Sequence, residues 1–580
     1  MRILKSIVAL WVVILFSASQ LNASHLNGGE ITWRVDSNQN FIFTVKLYRN
    51  CTGVSGPSIV TILSNSPSDS IPCVLINSID LSPTGPGCPT CNAPSVSLAE
   101  IEELIYESAP INFGIAVPPT SGWYFYFTDC CRNSGLTNLS SNGGGNINLR
   151  SIMYPYNGLA ASVALDNSPV FLNNPVMTVP AGKPIDYSAF ASDVDLDSLA
   201  YDWAPALDGT SYPGSNYPYN MGYSFSSPLP GPVFNPNNTY ATMNPTTGLI
   251  AFKCYNLGYY VIVTKVTSFK CGVKTAEVFK EFIMNIFNSG NNNLPVFNGT
   301  SVIDTTILAG DTLRMNIIVS DYDTMAGGFQ TITLKANSTA LGTSFNQGCL
   351  IQPCGTLSGS NPSTFTLMAN KLLTFPTSCA HAGFNNGCLQ HQRLFSFEFN
   401  AKDNFCPVNG IANQVINVYV TGPEIQFVGN DLVVNYPGVS VQWCLNGVPI
   451  PGATGTSYTP TQNGVYTLLA TTTGGCMMIS NAVNRNASGL NNISNEKSLN
   501  VYPNPAHQGA SMNLVVTGVG TGTATIKIID LSGRLMKAIP VELLSSTEHI
   551  IIDSADLAKG VYTIQMQTSS GIVKSNVVIQ

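Results

Sequence analysis

Residues 313–323 read LRMNIIVSDYD, with Leu313, Met315, Ile317 and Val319 at every second position ahead of the pair Asp321 and Asp323. A period of two gathers those apolar side chains on one face of an extended strand and leaves Arg314 and Asn316 on the other. The stretch therefore predicts a half-buried β-strand ending in a polar turn. The same ending occurs earlier as Ser192-Asp193-Val194-Asp195, 128 residues before Ser320-Asp321-Tyr322-Asp323. Two more landmarks recur in the same order: Asn167-Ser168-Pro169-Val170-Phe171 returns as Asn293-Leu294-Pro295-Val296-Phe297, and Ala181-Gly182 as Ala309-Gly310. Ordered matches at a nearly constant spacing imply two copies of one module.

The chain around this repeat has 580 residues, enough for about four or five domains. Charged residues make up only 10%, while 50 glycines and 36 prolines punctuate the sequence, as expected of short strands joined by turns. The net charge of −7 excludes a basic stripe for neutralising phosphates, so nucleic acid is not an expected partner. At the N-terminus Arg2 and Lys5 precede an apolar run from Ile7 to Phe16 and then small and polar residues, a signal peptide over 1–23 with cleavage after Ala23. The run is shorter than the ~20 residues that a membrane span requires.

Fifteen cysteines suit an exported protein, in which disulfides persist. They fall into four groups: Cys51, Cys73, Cys88, Cys91, Cys130 and Cys131; Cys254 and Cys271; Cys349, Cys354, Cys379, Cys388 and Cys406; Cys444 and Cys476. The third group alone is odd, which predicts an unpaired thiol or a cross-domain bond there. Cys88-Pro-Thr-Cys91 has the spacing of a redox or zinc pair. No second such pair or nearby histidine completes a metal site, so structural bridging is expected. Adjacent Cys130 and Cys131 are expected to pair elsewhere, and Cys444 with Cys476 is a candidate bridge across the 422–486 module.

The expected fold class is all-β. The two repeats, 166–290 and 291–421, resemble cadherin-like and immunoglobulin-like sandwiches. Residues 422–486 resemble an immunoglobulin-like or PKD-like module with a core Trp443 and a hairpin turn at Asn446-Gly447. Residues 24–165 form a cysteine-rich β domain in which Phe41, Phe43, Val45 and Leu47 alternate with polar residues. Within it, Ser97-Leu-Ala-Glu100 ahead of Ile101, Leu104 and Ile105 fits either a capped helix or a strand. His25-x-x-Gly28-Gly29-Glu30, Tyr48-Arg49-Asn50-Cys51 and Cys130-Cys131-Arg132-Asn133 resemble the N-terminal module of large secreted Bacteroidota proteins, some linked to gliding motility.

After a linker at 487–498, residues 499–580 read as a compact sandwich of about seven strands. This segment closely resembles the type A C-terminal sorting domain of type IX secretion substrates. The motif residues are Tyr502, Pro503, Asn504 and Pro505, then Asp530 with Gly533, Gly560 with Tyr562, and Lys574. The resemblance implies recognition by an outer-membrane translocon, followed by attachment to surface lipopolysaccharide or release. Ser575 to Gln580 lack the basic character common near family termini.

Candidate chemistry is sparse. Asp193, Asp195 and Asp197, spaced by two, put three carboxylates on one face if the chain is extended there, and the second copy keeps Asp321 and Asp323; calcium is a candidate ligand, against a turn in which aspartates bond to their own backbone. The run is not an EF-hand loop, since Ser198 and Ala204 stand where glycine and glutamate are required. Five histidines show no H-E-x-x-H, and no G-x-S-x-G elbow occurs. Histidines 381 and 391 lie beside Cys379 and Cys388 in what is expected to be a disulfide-stapled loop. Tyr212, Tyr217, Tyr219 and Tyr223, among prolines and glycines, predict an exposed ligand loop. The expectation is an exported, non-enzymatic surface protein acting as adhesin or spacer toward a glycan or protein. The alternatives are a hydrolase hidden in 24–165 or 291–421 and a filament subunit.

Overall fold

The computed structural model describes residues 26–579 other than 54, 87, 93–99, 131, 133–134, 141–144, 176–177, 289, 291, 326–327, 343–347, 383–391, 435–439, 472–476, 486–497, 503, 505, 507, 510, 518–521, 531–533, 544–546 and 569–570. The signal peptide lies outside the described residues. The chain divides into two compact units, Met1–Gly422 with Thr472–Met478, and Pro423–Thr471 with Ile479–Gln580.

Seven strands open the first unit: β1 (Leu26–Val35), β2 (Phe41–Asn50), β3 (Ile59–Ser64), β4 (Ser70–Asp80), β5 (Ile101–Ser108), β6 (Trp123–Asp129) and β7 (Ile147–Met153). Alternation decides what each buries. Phe43, Val45 and Leu47 of β2 and Trp123, Phe125 and Phe127 of β6 enter one core, while Tyr124 and Tyr126 take the opposite face. The ambiguous segment after Glu100 is a strand. Leu104, Tyr106 and Ser108 point inward with period two, and ladders from β2 and β4 occupy both edges, a tertiary stabilisation that outweighs the capping pattern.

These strands pair in the order β1-β2-β5-β4-β3-β6-β7. The seam is closed by β10 (Val273–Phe287), preceded by β8 (Ser198–Trp203) and β9 (Gly258–Lys270). Ala276 to Val278 pair with Met153 to Ser151 of β7, and Lys280 to Phe282 pair with Glu30 to Gly28 of β1. Since β9 holds the other edge of β10 along its length, β1 and β7 share a single edge. The sheet thus runs across position 165, and the 24–165 and 166–290 segments share a strand.

Burial beneath this seam includes charge. Glu30 and Lys280 are each 1% exposed, with Lys280 Nζ 3.2 Å from Glu30 Oε2. Lys280 also donates to the Asn173 carbonyl at 2.7 Å and lies over the Phe171 ring. Lys46 bridges Glu30 and Glu103 at 3.5 Å each. Gly28, at φ +146°, lies so close to the Glu281 carbonyl that any Cβ would collide with it, which explains the Gly28-Gly29-Glu30 motif. Arg132, from the other cysteine motif, is buried in an ion pair with Glu281 and donates to the Leu207 carbonyl.

The second repeat is a sandwich of four- and five-stranded sheets. It contains β11 (Thr312–Ser320), β12 (Thr331–Asn337), β13 (Met368–Pro376), β14 (Gln392–Asp403) and β15 (Ile411–Thr421). In β11, Ile317 and Val319 are buried and Leu313 and Met315 half-buried while Thr312, Arg314 and Asn316 are exposed, as the alternation predicts. A disulfide joins Cys88 to Cys406, 318 residues away, so the odd cysteine group does supply a cross-module bond. Asn413 Nδ2 donates to the Asp186 carbonyl at 2.6 Å, and Asn173 Nδ2 to Glu398 at 2.8 Å.

In the second unit, Trp443 is fully buried and donates Nε1–H to the Gly455 carbonyl, and Asn446 and Gly447 both adopt positive φ in the hairpin turn. The C-terminal module has seven strands in sheets of three and four around a core that includes Leu514, Ile526, Ile564 and Val577.

Lys280→Met leaves Glu30 with Lys46 as its remaining cation and takes the donor from the Asn173 carbonyl, and should cost about 1–3 kcal/mol, whereas Glu30→Leu combined with Lys280→Met should recover part of that loss. Urea midpoints followed by the fluorescence of buried Trp33 check this, with Lys46 still paired to Glu103 in both variants.

Candidate functional site

The acidic motif of the first repeat is a turn, not an extended strand. Asp193, 2% exposed, accepts the Asp195 N–H on Oδ1 at 2.8 Å, and Leu196 follows at φ +60°. The Asp195 carboxylate is taken by Asn167, through its backbone N–H at 2.7 Å and its amide at 3.1 Å. The second repeat repeats this bond for bond: Asp321 accepts the Asp323 N–H, and Asp323 accepts the N–H and amide of Asn293. The two aspartates and the asparagine that opens each repeat therefore form a clamp between strand entry and turn. Asn167 and Asn293 were visible as repeat landmarks, but their role as donors was not.

The clamp occupies Oδ1 of Asp193 and the Asp195 carboxylate, while Oδ2 of Asp193 and Oδ2 of Asp197 are buried without a hydrogen-bond partner. Lys270 Nζ lies 3.1 Å from Asp166 within the same acidic cluster. Among the described residues, the one trio whose ligand atoms all lie within 4.8 Å of one another is Cys51, Asp80 and Cys91, and its two sulfurs are bonded to each other. Cys88 and Cys91 are thus both disulfide-bonded, as structural bridging requires. Cys73, Cys254 and Cys444 are buried thiols even though their groups have even counts; Cys73 faces the core from β4, where burial pushes its thiol up to about 12. Cys130 is disulfide-bonded, while Cys131 and Cys476 lie outside the described residues.

Two carboxyls of this turn are perturbed. Burial, then the charges of Asp197, Asp195 and Asp166, hold Asp193 well above the usual carboxylate range; burial and Asp166 push Asp197 up to about 7. Both line a cavity of about 330 Å³ together with Arg393 and Tyr201. His381 is fully buried against Phe375 and Phe395, its Nδ1 2.9 Å from the Ser378 hydroxyl, and burial lowers it to about 4. His391 and Cys388 lie outside the described residues.

The tyrosine loop packs inward, contrary to the exposed loop expected. Tyr217 is buried under the Arg132 guanidinium, Tyr212 stacks on Tyr124 at 4.3 Å, the Tyr219 hydroxyl accepts the Ala206 N–H, and Tyr223 stacks on Phe234. The outward tyrosine face of β6 and the buried arginine give these rings a surface to cover. What reaches solvent instead is a rim over 221–257. Met221 is 93% and Val233 81% exposed, with Phe234, Tyr240 and Tyr255 also showing. Asn238 ties the rim together, donating to the Pro230 carbonyl and Asn256 Oδ1 and accepting the Tyr255 N–H.

In the C-terminal module Asn504 acts as a substitute strand. Its Oδ1 accepts the Val578 N–H at 2.9 Å and its Nδ2 donates to the Asn576 carbonyl at 2.8 Å. Asp530 closes a turn by accepting the Arg534 N–H, and the Tyr562 hydroxyl donates to the Ala558 carbonyl. Gly560 opens the strand that carries Tyr562, and Lys574 is exposed opposite Gln565. The Tyr502 side chain, Pro503, Pro505 and Gly533 lie outside the described residues.

Two small antiparallel sheets, with the asparagine of the proline motif holding the strand Gly571–Ile579, make a small β-sandwich module. Residues 500–580 match the family model described as Secretion system C-terminal sorting domain. The chain carries a type IX secretion sorting domain, engages that machinery, and is exported to the cell surface or beyond it. The match does not extend to the preceding domains, and no curated protein matches the chain.

Among solved structures, dimeric latent PorU from Porphyromonas gingivalis aligns at 11% identity over 70% of this chain and 32% of its own, with a TM-score of 0.15. Drosophila N-cadherin EC1-4 aligns at 12% identity over 70% of this chain and 99% of its own, with a TM-score of 0.14. Escherichia coli alpha-2-macroglobulin activated by porcine elastase aligns at 9% identity over 71% and 44%, with a TM-score of 0.15. This chain spans about a third of the PorU chain.

Two outcomes follow. Calcium chelation should leave the melting temperature unchanged, whereas Asn167→Ala should lower stability by about 1–3 kcal/mol by removing the amide bond to Asp195 and the acceptor of the Val35 N–H; calorimetry with and without chelator reads both. Asn504→Ala should reduce surface delivery of the full chain and leave it cell-associated, measured by fractionating a type IX-competent host.

Proposed function

We propose that this type IX cargo is a non-enzymatic adhesive protein, with the first unit as a rigid binding head and the 221–257 rim as its contact surface. The rim itself carries the reading. Met221, Val233, Phe234 and Tyr255 on loops and Tyr240 on the strand Thr239–Met243 expose apolar surface, and Asn238 ties the Pro230 and Tyr255 segments together. Contiguous exposed apolar patches mark interaction sites, and loops on a rigid scaffold are where binding residues concentrate. Pre-ordered loops lose little entropy on binding. The partner class is a protein or glycan surface with apolar faces.

Binding of the purified chain to glycan and surface-protein arrays tests this. Saturable binding should weaken about tenfold or more when Val233→Asp is combined with Tyr240→Ser, with the melting temperature unchanged. Failure to bind any partner, or equal binding by the variant, overturns the proposal. A hydrolase is the second reading, supported by Asp193 and Asp197 in the 330 Å³ cavity, since a carboxyl held near neutrality suits a general acid. Glycan turnover in the same assays, abolished by Asp197→Asn, would favour it.

A further inference from the structure

A second cavity, of about 360 Å³, opens where three parts of the first unit meet. One wall is the end of β4 with Leu81 to Thr84, another is Asn173 to Pro175 with Thr178 and Tyr187, and the floor is the outer face of β12 and β14. Its volume falls in the ~300–1,000 Å³ range of small-molecule sites. The floor carries Lys335 directly opposite Asn400, with Lys402 two residues further along β14. The lysines are therefore diagonal neighbours, roughly 7 Å apart at Cβ.

Neither lysine forms an ion pair or side-chain hydrogen bond among the described residues. The acids nearby are committed elsewhere. Asp80 accepts the N–H groups of Ser82 and Cys91, and Glu398 is held by the amides of Asn173 and Asn337. The Tyr187 hydroxyl, on a side chain 1% exposed, and the Thr178 hydroxyl are both buried and have no partner. A buried hydroxyl without a partner costs free energy that a ligand group can recover. The walls are fixed in place, since the Cys88–Cys406 bond and the reciprocal pair between Asn409 and the Thr84 backbone tie the first wall to the floor.

Two ammoniums without a direct ion-pair partner, on which Glu398 and Asp403 act only through space, call for an anion, and the hydroxyls and asparagine amides around them call for a polyhydroxylated body. A bare oxyanion would satisfy the lysines and leave Tyr187 and Thr178 as they are. We propose that this cleft binds an acidic saccharide, with its carboxylate between Lys335 and Lys402 and its ring hydroxyls against Tyr187, Thr178 and Asn400. The ring's C–H face lies along Pro175 and Ile79 of the walls. The cleft does not include the 221–257 rim, so its variants leave that surface intact.

Titration calorimetry on the full chain with trigalacturonic acid, sialyllactose, maltotriose and sodium sulfate tests the proposal. At least one of the two acidic saccharides should bind, with maltotriose and sulfate silent, and Lys335→Gln combined with Lys402→Gln should weaken binding about tenfold or more. Both positions are partly or fully exposed, so the variant should melt as the parent does. Tyr187→Phe should also weaken the saccharide, a loss that charge alone does not explain. Equal binding of maltotriose, equal binding of sulfate, indifference to the lysine change, or no heat from either acidic saccharide overturns the proposal.

Discussion

One edge of β10 governs the first unit. Residues 276–278 take the end of β7 and residues 280–282 take β1, so the first and last strands of the N-terminal set are hydrogen-bonded through a strand that the chain reaches over a hundred residues after β7. Without β10 both would be open edges, which invite pairing with other chains. The same strand brings Lys280 under Glu30, and a buried carboxylate is tolerated only when paired. The second module then has to cover this pair with Phe171 and Asn173. The seam, the ion pair and the cover are one constraint, and the N-terminal strands do not close without it.

Strand character was legible wherever alternation was clean, as in β2 and β11, because period-two burial is a local property. The repeat was legible too, and its bonds proved equivalent down to Asn167 and Asn293. The sharing of β10 was not. The run VFKEFIMNIF contains Lys280 and Glu281 in an apolar context, a sign of buried pairing, but the partners Glu30 and Arg132 are far away in sequence. The tyrosine loop misled for a related reason. Prolines and glycines mark a loop, and composition alone does not reveal that Arg132 and Tyr124 offer its rings a surface to stack on. The C-terminal module was the most legible part, because its motif residues close turns and strand ends within eighty-odd positions.

Asparagine carries much of the organisation that charge carries in other proteins. With so few ionisable residues, amides serve as the cross-links. Asn138 satisfies the carbonyls of Pro228 and Val261 and the Val261 N–H, Asn238 organises the rim, and Asn504 holds Asn576 and Val578. An amide donates and accepts at once, so it can replace a missing strand neighbour without the desolvation cost of an ion. Such bonds are insensitive to salt and to pH across the neutral range, which suits a protein that works outside the cell.

The Cys88–Cys406 bond has a consequence for timing. Ribosomes deliver residue 88 long before residue 406, so the crosslink and the β10 seam wait for distant chain, and contacts this remote in sequence form slowly. The sorting domain at 500–580 is synthesised later still. By the time the secretion apparatus has a signal to recognise, every partner that the head requires has already been made. Once formed, a staple across 318 residues makes the first unit too wide to thread a pore as a single extended strand.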